Sequence, residues 1–177
     1  RVFIMKIIEE WYLPDSDSHF SEYFNHPRNK SLHPGQYQKV SRDQSISLVS
    51  SFRTAIDIGA CVSFWSKDLC SKFKNVHSFE PFKTNYECLE KNFENFKNIQ
   101  LYNCYLSNIN ESKKLFIHRD NIGNNSLNPG NKGIEETAVV QSKKLYDFVF
   151  TNVDYIKIDV QMHELEVLEG AQETLKK

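Results

Sequence analysis

The stretch TAIDIGA, residues 54–60, decides the fold of this chain. Its apolar residues predict a buried parallel strand, and the acidic residue and glycine turn are typical of a strand that presents a ligand at its carboxyl end. A second run, VHSFEP at residues 76–81, ends in Glu80, and its separation from Asp57 suits one strand–helix–strand step. A carboxylate at this second strand tip can accept hydrogen bonds from both hydroxyls of a ribose. The two runs therefore predict an α/β fold that binds a nucleoside.

The glycine turn narrows the choice of nucleoside. Dinucleotide-binding enzymes place Gly-x-Gly-x-x-Gly at this turn so that the backbone can approach a pyrophosphate. Here Asp57 leads and Gly59 is the only glycine of that spacing, so a pyrophosphate would meet a negative charge. A cationic sulfonium with an amino-acid tail fits better, which is the pattern of class I methyltransferases that use S-adenosylmethionine. A nicotinamide-dependent oxidoreductase is a less favoured alternative.

Six further segments narrow the class of methyltransferase. They are IGA at 58–60, FEP at 79–81, YLS at 105–107, YIKIDVQ at 155–161, HE at 163–164 and LEGA at 168–171. Together they resemble the FkbM family of these methyltransferases, and the resemblance covers residues 52–177. It implies a Rossmann-like fold with a mostly parallel sheet, and methyl transfer to a hydroxyl oxygen on a sugar or other small molecule.

The predicted cofactor residues follow from these segments. Asp57 is expected near the methionine amino group, or alternatively as a cap of the next helix. Glu80 is expected at the ribose, with a surface charge as the alternative. Leu106 and Ser107 are expected to border the adenine, although ordinary loop packing is an alternative. The remaining cofactor contacts are predicted at Gly59, Ala60 and Pro81.

Two residues near the carboxyl end of the chain are predicted to assist catalysis. Asp159 follows a central strand, where it can bind the acceptor hydroxyl or take its proton, or else cap the following helix. His163 lies in the first turn of that helix and is the second candidate for proton transfer.

Three positions depart from the family pattern. The family usually has Asn and Gly where this chain has Cys61 and Ser63, and Gly where it has Met162. Glycine at such turns allows positive φ or close approach to a ligand, so these side chains are expected to crowd the crevice. They leave open a second interpretation, a nucleoside-binding domain that keeps the fold without catalysis.

The rest of the chain sets the context of this domain. Residues 1–52 are predicted to form a cap and lead-in helix, with residues 11–34 as an ordered loop, and residues 53–177 the methyltransferase domain. Asp15, Asp17 and His19 would converge if extended and bind a metal, but a turn bonded to its own backbone is the favoured interpretation, and no metal is predicted. Residues 120–133, rich in Asn and Gly, predict a mobile linker or a lid.

Composition excludes several partners. A net charge of −1 over 177 residues gives no basic footprint for nucleic acid. No apolar run approaches the ~18 residues of a membrane span, and four cysteines without a Cys-x-x-Cys pair are expected to be free thiols, so a cytoplasmic location is predicted. Because the chain stops after its last predicted helix, we expect the C-terminal strands of the sheet to be missing and the open edge to allow self-association.

Overall fold

The computed structural model describes residues 4–128 and 136–176, and contains a parallel sheet, a smaller second sheet and an N-terminal hairpin. The strands are β1 Met5–Ile8, β2 Trp11–Pro14, β3 Thr54–Ile58, β4 Asn75–Phe79, β5 Ile99–Tyr102, β6 Tyr105–Leu106, β7 Ser112–Ile117, β8 Glu136–Lys143 and β9 Val153–Ile158. The helices are α1 His19–Asn25, α2 Pro27–Leu32, α3 Lys39–Ser47, α4 Phe64–Lys72, α5 Lys83–Asn92 and α6 Glu164–Leu175.

The main sheet has the strand order β5-β4-β3-β9, and all of its pairs are parallel. Side chains alternate along β3, so Ala55 packs with Leu69 of α4 and Leu89 of α5, whereas Ile56 packs with Val167 of α6 on the opposite face. Every residue of β3 is buried, which explains why apolar residues, Ala55, Ile56 and Ile58, face both sides of the sheet. The doubly covered parallel sheet confirms the predicted Rossmann-like fold class.

The second sheet corrects one detail of the sequence prediction. The strands expected at 113–118 and 138–142 are present as β7 and β8, but they pair with each other and with β6 rather than with the main sheet. Within residues 4–128 and 136–176, β9 pairs with β3 and with no other strand. Self-association through that edge stays a prediction.

The N-terminal segment is more regular than the sequence suggested. Residues 11–34, predicted as an ordered loop, contain β2, α1 and α2. Their aromatic side chains pack around Phe64 of α4, with ring centroids 4.7 Å away at Phe20 and 4.9 Å at Trp11. Aromatic clustering of this kind stabilises short helices whose sequences have weak helical periodicity. The boundary at residue 52 stays a prediction, since this cluster joins both sides of it.

The possible metal site at the start of α1 resolves into a turn. Oδ2 of Asp17 accepts the Phe20 N–H at 3.0 Å, as the favoured interpretation predicted. Asp15 is exposed, and within the described parts of the chain no cluster of His, Cys, Asp or Glu could hold a metal ion. The four cysteines are free, and three of them are buried. No helix in the described ranges has the length and apolar character needed to cross a membrane.

Candidate functional site

A crevice opens at the carboxyl ends of β3, β4 and β9, and the turn after β3 forms its floor. The N–H groups of Gly59 and Ala60 both donate to the Phe79 carbonyl, at 3.1 and 2.9 Å, so this turn folds over the end of β4. Gly59 has a φ of +77°, and a Cβ atom there would lie 1.9 Å from the Asp159 carbonyl oxygen. A glycine is required because the end of β9 approaches this closely.

The crevice has two connected parts, which we call the slot and the chamber. They share Gly59, Cys61, Gly123, Asp159 and Gln161. The slot has apolar walls and one buried carboxylate, whereas the chamber lies beneath the N-terminal segment and is more polar. Further slot residues are Ile58, Phe79, Glu80, Pro81, Leu106 and Asn125. Further chamber residues are His19, Tyr37, Gln38, Ala60, Trp65 and Lys157.

Glu80 lies in the slot, where the sequence placed it. Its Oε2 accepts the Cys61 N–H at 2.9 Å, and its Oε1 accepts the Phe82 N–H at 3.0 Å and the Asn85 amide at 3.4 Å. These bonds hold the carboxylate at the tip of β4. Burial raises the pKa of Glu80, and the hydrogen bonds from Phe82 and Cys61 lower it in part, so that the resulting pKa is about 7.

Asp57 does not face the crevice, contrary to its predicted contact with the methionine amino group. It is fully buried, and its carboxylate lies 3.0 Å from the Lys157 ammonium and accepts the Ser66 hydroxyl at 2.7 Å. Asp57 and Lys157 are register partners on β3 and β9, which explains why they meet. The Asp57 carboxylate is therefore already paired with one neighbour in the sheet, Lys157, and with Ser66 of α4.

His163 and Ser107 come together, but outside the crevice. The His163 ring is buried, and its Nε2 contacts the Tyr105 hydroxyl and lies 3.2 Å from the Ser107 hydroxyl. Burial lowers the pKa of His163. The Ser107 carbonyl packs against α6, where a Cβ at Gly170 would lie 1.9 Å from it. Neither residue lines the slot or the chamber, so their predicted roles in proton transfer and adenine contact lack support from this geometry.

Four other predicted residues do line the crevice. Asp159 is exposed at the junction of slot and chamber, and its Oδ1 accepts the Gln161 amide at 3.2 Å. Pro81 and Leu106 line the slot, and Ala60 lines the chamber.

Residues 121–128 cover the slot and are held on both sides. The Asn85 amide donates to the Ile122 carbonyl at 3.2 Å, and the Ser126 hydroxyl donates to the Gln161 carbonyl at 2.9 Å. Asn125 Oδ1 accepts the His118 N–H at 2.9 Å. Residues 120–128 of this segment thus form a cover that is hydrogen-bonded to the domain on both sides, and residues 129–133 lie outside the described ranges.

The three positions that depart from the family pattern have positive φ, as the glycine argument predicted. The values are +55° at Cys61, +80° at Ser63 and +72° at Met162. Of the three, only Cys61 lines the crevice. Ser63 is buried at the start of α4, and Met162 is exposed outside both parts of the crevice. The side chains of Ser63 and Met162 therefore line neither part of the crevice, and their positive φ values strain the backbone.

Replacing Ser63 by glycine is expected to stabilise the protein. The change relieves left-handed strain of about 1–2 kcal/mol. It also removes a buried hydroxyl that has no hydrogen-bond partner within the described residues. Glycine costs about 0.5–1 kcal/mol of unfolded-state entropy, so the net gain is about 1–2 kcal/mol, or roughly 2–8 °C in Tm. Thermal unfolding of Ser63→Gly measures it.

Met162→Gly is the matched control for this prediction. It relieves similar strain at an exposed position without a buried hydroxyl, so we expect a smaller gain. A lower Tm in Ser63→Gly would show that the Ser63 side chain contributes packing that outweighs the strain.

Sequence reasoning missed two polar residues of the site. Lys157 lies two positions before Asp159, and the alternation of a strand could have placed both on one face. Asn125 had no signal in the sequence, because its place in the slot depends on how residues 121–128 fold. Its amide nitrogen is buried with no acceptor among the described residues, which leaves a hydrogen-bond donor for a ligand.

These features define the class of protein. A doubly covered parallel sheet, a glycine turn after β3 and an acidic residue at the tip of β4 are the arrangement of a Rossmann-like methyltransferase domain. The family model described as the methyltransferase FkbM domain matches residues 57–177, and the chain belongs to this family. The nicotinamide alternative is set aside on this assignment.

Solved structures give partial overlaps. Trm5b from Pyrococcus abyssi has 14% identity over 62% of this chain and 33% of its own, with a TM-score of 0.36. A putative RNA methyltransferase from Pyrococcus horikoshii has 20% identity over 45% of this chain and 43% of its own, with a TM-score of 0.31. Phosphoethanolamine N-methyltransferase 1 from Haemonchus contortus, in complex with phosphoethanolamine and S-adenosylhomocysteine, has 18% identity over 47% of this chain and 19% of its own. Its TM-score is 0.32. The chain spans less than half the length of each. No curated protein matches it in sequence.

Proposed function

We propose that this domain binds S-adenosylmethionine and transfers its methyl group to a hydroxyl of a sugar or other small molecule. The observation that carries the proposal is Glu80, a buried carboxylate fixed at the tip of β4 inside an apolar slot. Two ribose hydroxyls can donate to one carboxylate, and few other ligands need an acidic group at this depth. Membership of the FkbM family supports the same reaction.

The slot offers groups that fit an adenosine. Ile58, Phe79 and Leu106 provide apolar surface for the faces of the base. The unpartnered amide of Asn125 can donate to a ring nitrogen, and Glu80 can accept from the ribose. The chamber, which continues from the slot past Gly59, would then hold the amino-acid end.

Asp159 is the residue proposed to act on the acceptor. The cofactor would supply an electrophilic methyl group, and the protein's task is to place the acceptor oxygen in line with it. Asp159 lies where slot and chamber meet and is exposed, so its carboxylate can accept the hydrogen bond of an incoming hydroxyl and then its proton. With His163 held outside the crevice, Asp159 is the stronger of the two predicted candidates.

A non-catalytic binding domain is the second candidate. The specific observation in its favour is that the His163 imidazole is bonded to Tyr105 and Ser107 and faces neither part of the crevice. An assay for transfer of a radiolabelled methyl group from the cofactor to a panel of sugars and small hydroxylated molecules distinguishes the enzyme from the binding domain. A binding domain would bind the cofactor but methylate none of these acceptors.

The first test of the proposal is a thermal shift with S-adenosylhomocysteine. Wild-type protein should melt at a higher temperature in its presence, and Glu80→Ala should lose most of that shift. The lost charge-assisted hydrogen bonds are worth about 1.5–3 kcal/mol, or roughly a 10- to 100-fold weaker affinity. Glu90→Ala, which removes an exposed carboxylate on α5, is the control and should behave as wild type. Equal affinity in Glu80→Ala and wild type would contradict the assignment.

The pH dependence of binding provides a second arm of this test. Ribose hydroxyls donate to the ionised form of Glu80, whose pKa is about 7, so binding favours loss of its proton. Affinity should therefore rise as the pH is raised from about 5.5 to about 7 and level off above it. The charged and titratable groups near Glu80 are Lys157 and the Cys61 thiol, and burial holds the pKa of that thiol well above its ordinary value. In Glu80→Gln the rise should vanish.

A further inference from the structure

The chamber contains a cation that the sequence did not suggest. The Lys157 side chain is 10% exposed, and its ammonium donates to the Gly59 carbonyl at 2.7 Å and lies 3.0 Å from Asp57. Among the chamber residues that the structure describes, Lys157 is the only lysine or arginine. The amino-acid tail of the proposed cofactor ends in a carboxylate, for which an ammonium at this depth is the natural partner.

The surroundings of Lys157 explain why it can take this role. Asp57 has no path to a ligand, since it is fully buried and already bonded to Ser66. Its charge holds the Lys157 ammonium at the end of β3, where the chamber begins. Asp159, two residues further along β9, presents a carboxylate to the same chamber. Because Asp159 is assigned to the acceptor, Lys157 is the charged group of the chamber that remains to pair with the carboxylate of the tail.

We infer that Lys157 binds the carboxylate of the cofactor's amino-acid end and that Asp57 positions Lys157 instead of contacting the cofactor. This inference rests on the proposed function, because it assigns the tail of the same ligand. It reverses the expectation for Asp57: removing that carboxylate frees the Lys157 charge for the ligand, whereas a direct contact between Asp57 and the cofactor's ammonium would be lost.

The experiment compares two ligands by isothermal titration calorimetry. S-adenosylhomocysteine carries the amino-acid tail, and 5′-methylthioadenosine has the same nucleoside without it. Wild-type protein should bind the first more tightly. Because Lys157→Met alone leaves Asp57 as an unpaired buried charge, the variant used is Lys157→Met combined with Asp57→Asn, which retains an acceptor for Ser66.

In this double variant, the affinity for S-adenosylhomocysteine should fall about 10- to 100-fold, while that for 5′-methylthioadenosine should stay unchanged. Asp57→Asn alone should keep or increase the preference for S-adenosylhomocysteine, because the Gly59 carbonyl and the amide oxygen of the new side chain still hold the Lys157 ammonium, while the competing negative charge is gone. Lys74→Met is the control, because it removes an exposed lysine at the opposite end of β4 and should change neither affinity.

The outcomes distinguish a failure of the Lys157 assignment from a failure of the proposed function. Loss of the preference in Asp57→Asn alone would overturn the inference and restore the contact predicted from sequence. A preference retained in the double variant, or equal affinities for both ligands in wild type, would also overturn it while leaving the nucleoside site in place. Failure of wild-type protein to bind either ligand would refute the proposed function and the inference with it.

Discussion

The Gly59→Ala variant is expected to lose its native fold or to retain only a small part of its stability. A Cβ atom at Gly59 would lie 1.9 Å from the Asp159 carbonyl oxygen and 2.9 Å from its carbonyl carbon. Both are backbone atoms at the end of β9, so no side-chain rotation can relieve the overlap. The positive φ adds strain of about 1–2 kcal/mol. We expect a total loss above about 4 kcal/mol, which is a large part of a typical unfolding free energy.

Gly35→Ala isolates the backbone strain from the overlap. Gly35 has a φ of +64°, but its nearest neighbour to an added Cβ is the Glu9 carbonyl oxygen at 3.4 Å. This control should therefore lose only about 1–2 kcal/mol. Denaturant unfolding and soluble yield measure both variants. Similar losses in the two would mean that β9 moves away from the turn at little cost, and that the crevice floor is not fixed by this contact.

The fold was predictable because its signals are local. β3 lies between α4 and α5 on one face and α6 on the other, so it carries apolar side chains on both faces and can be recognised alone. The glycine turn after it is equally local, since it reports a backbone geometry. The N-terminal helices were missed for two reasons. The aromatic residues of α1 pack on Phe64, which lies about 40 residues away along the chain, and α2 has no buried residue that would give a helical pattern.

The site was predictable only where a residue's position in the sheet fixes its surroundings. Glu80 is placed at the strand tip by the register of β4, and the structure has it in the slot. Asp57 has an equally clear position, but its neighbour across the sheet is Lys157, and a sequence does not show which strand pairs beside it. The surroundings of His163 could not be predicted for the same kind of reason, since its partner Tyr105 belongs to the second sheet.

Arg42 connects the N-terminal segment to the methyltransferase domain. It lies on α3 and is fully buried, and its three guanidinium nitrogens each have a partner. Nε donates to Asp68 of α4 at 2.6 Å, and the other two nitrogens donate to the Tyr37 carbonyl at 2.6 Å and the Gln36 side chain at 2.5 Å. A planar group with several fixed donors suits this site better than a lysine would. Since Tyr37 lines the chamber, the same contacts also hold one wall of the crevice.

Arg42→Met is therefore expected to lower the free energy of unfolding by about 3 kcal/mol, at the lower end of the range for a buried pair because Asp68 keeps contact with water. In a chain of this length that corresponds to a Tm about 6–12 °C lower. The Tm of Arg42→Lys should fall between those of this variant and wild type, because it retains the charge beside Asp68 but not all three bonds.

Arg53→Met is the control. It removes a side chain that is 53% exposed from its pair with Asp154, and should change the Tm much less. If the Arg42 and Arg53 variants lost the same stability, burial of the guanidinium would not be what makes Arg42 important. If Arg42→Met split the unfolding into two transitions, the aromatic cluster around Phe64 would be insufficient to keep the N-terminal segment and the domain in one cooperative unit without Arg42.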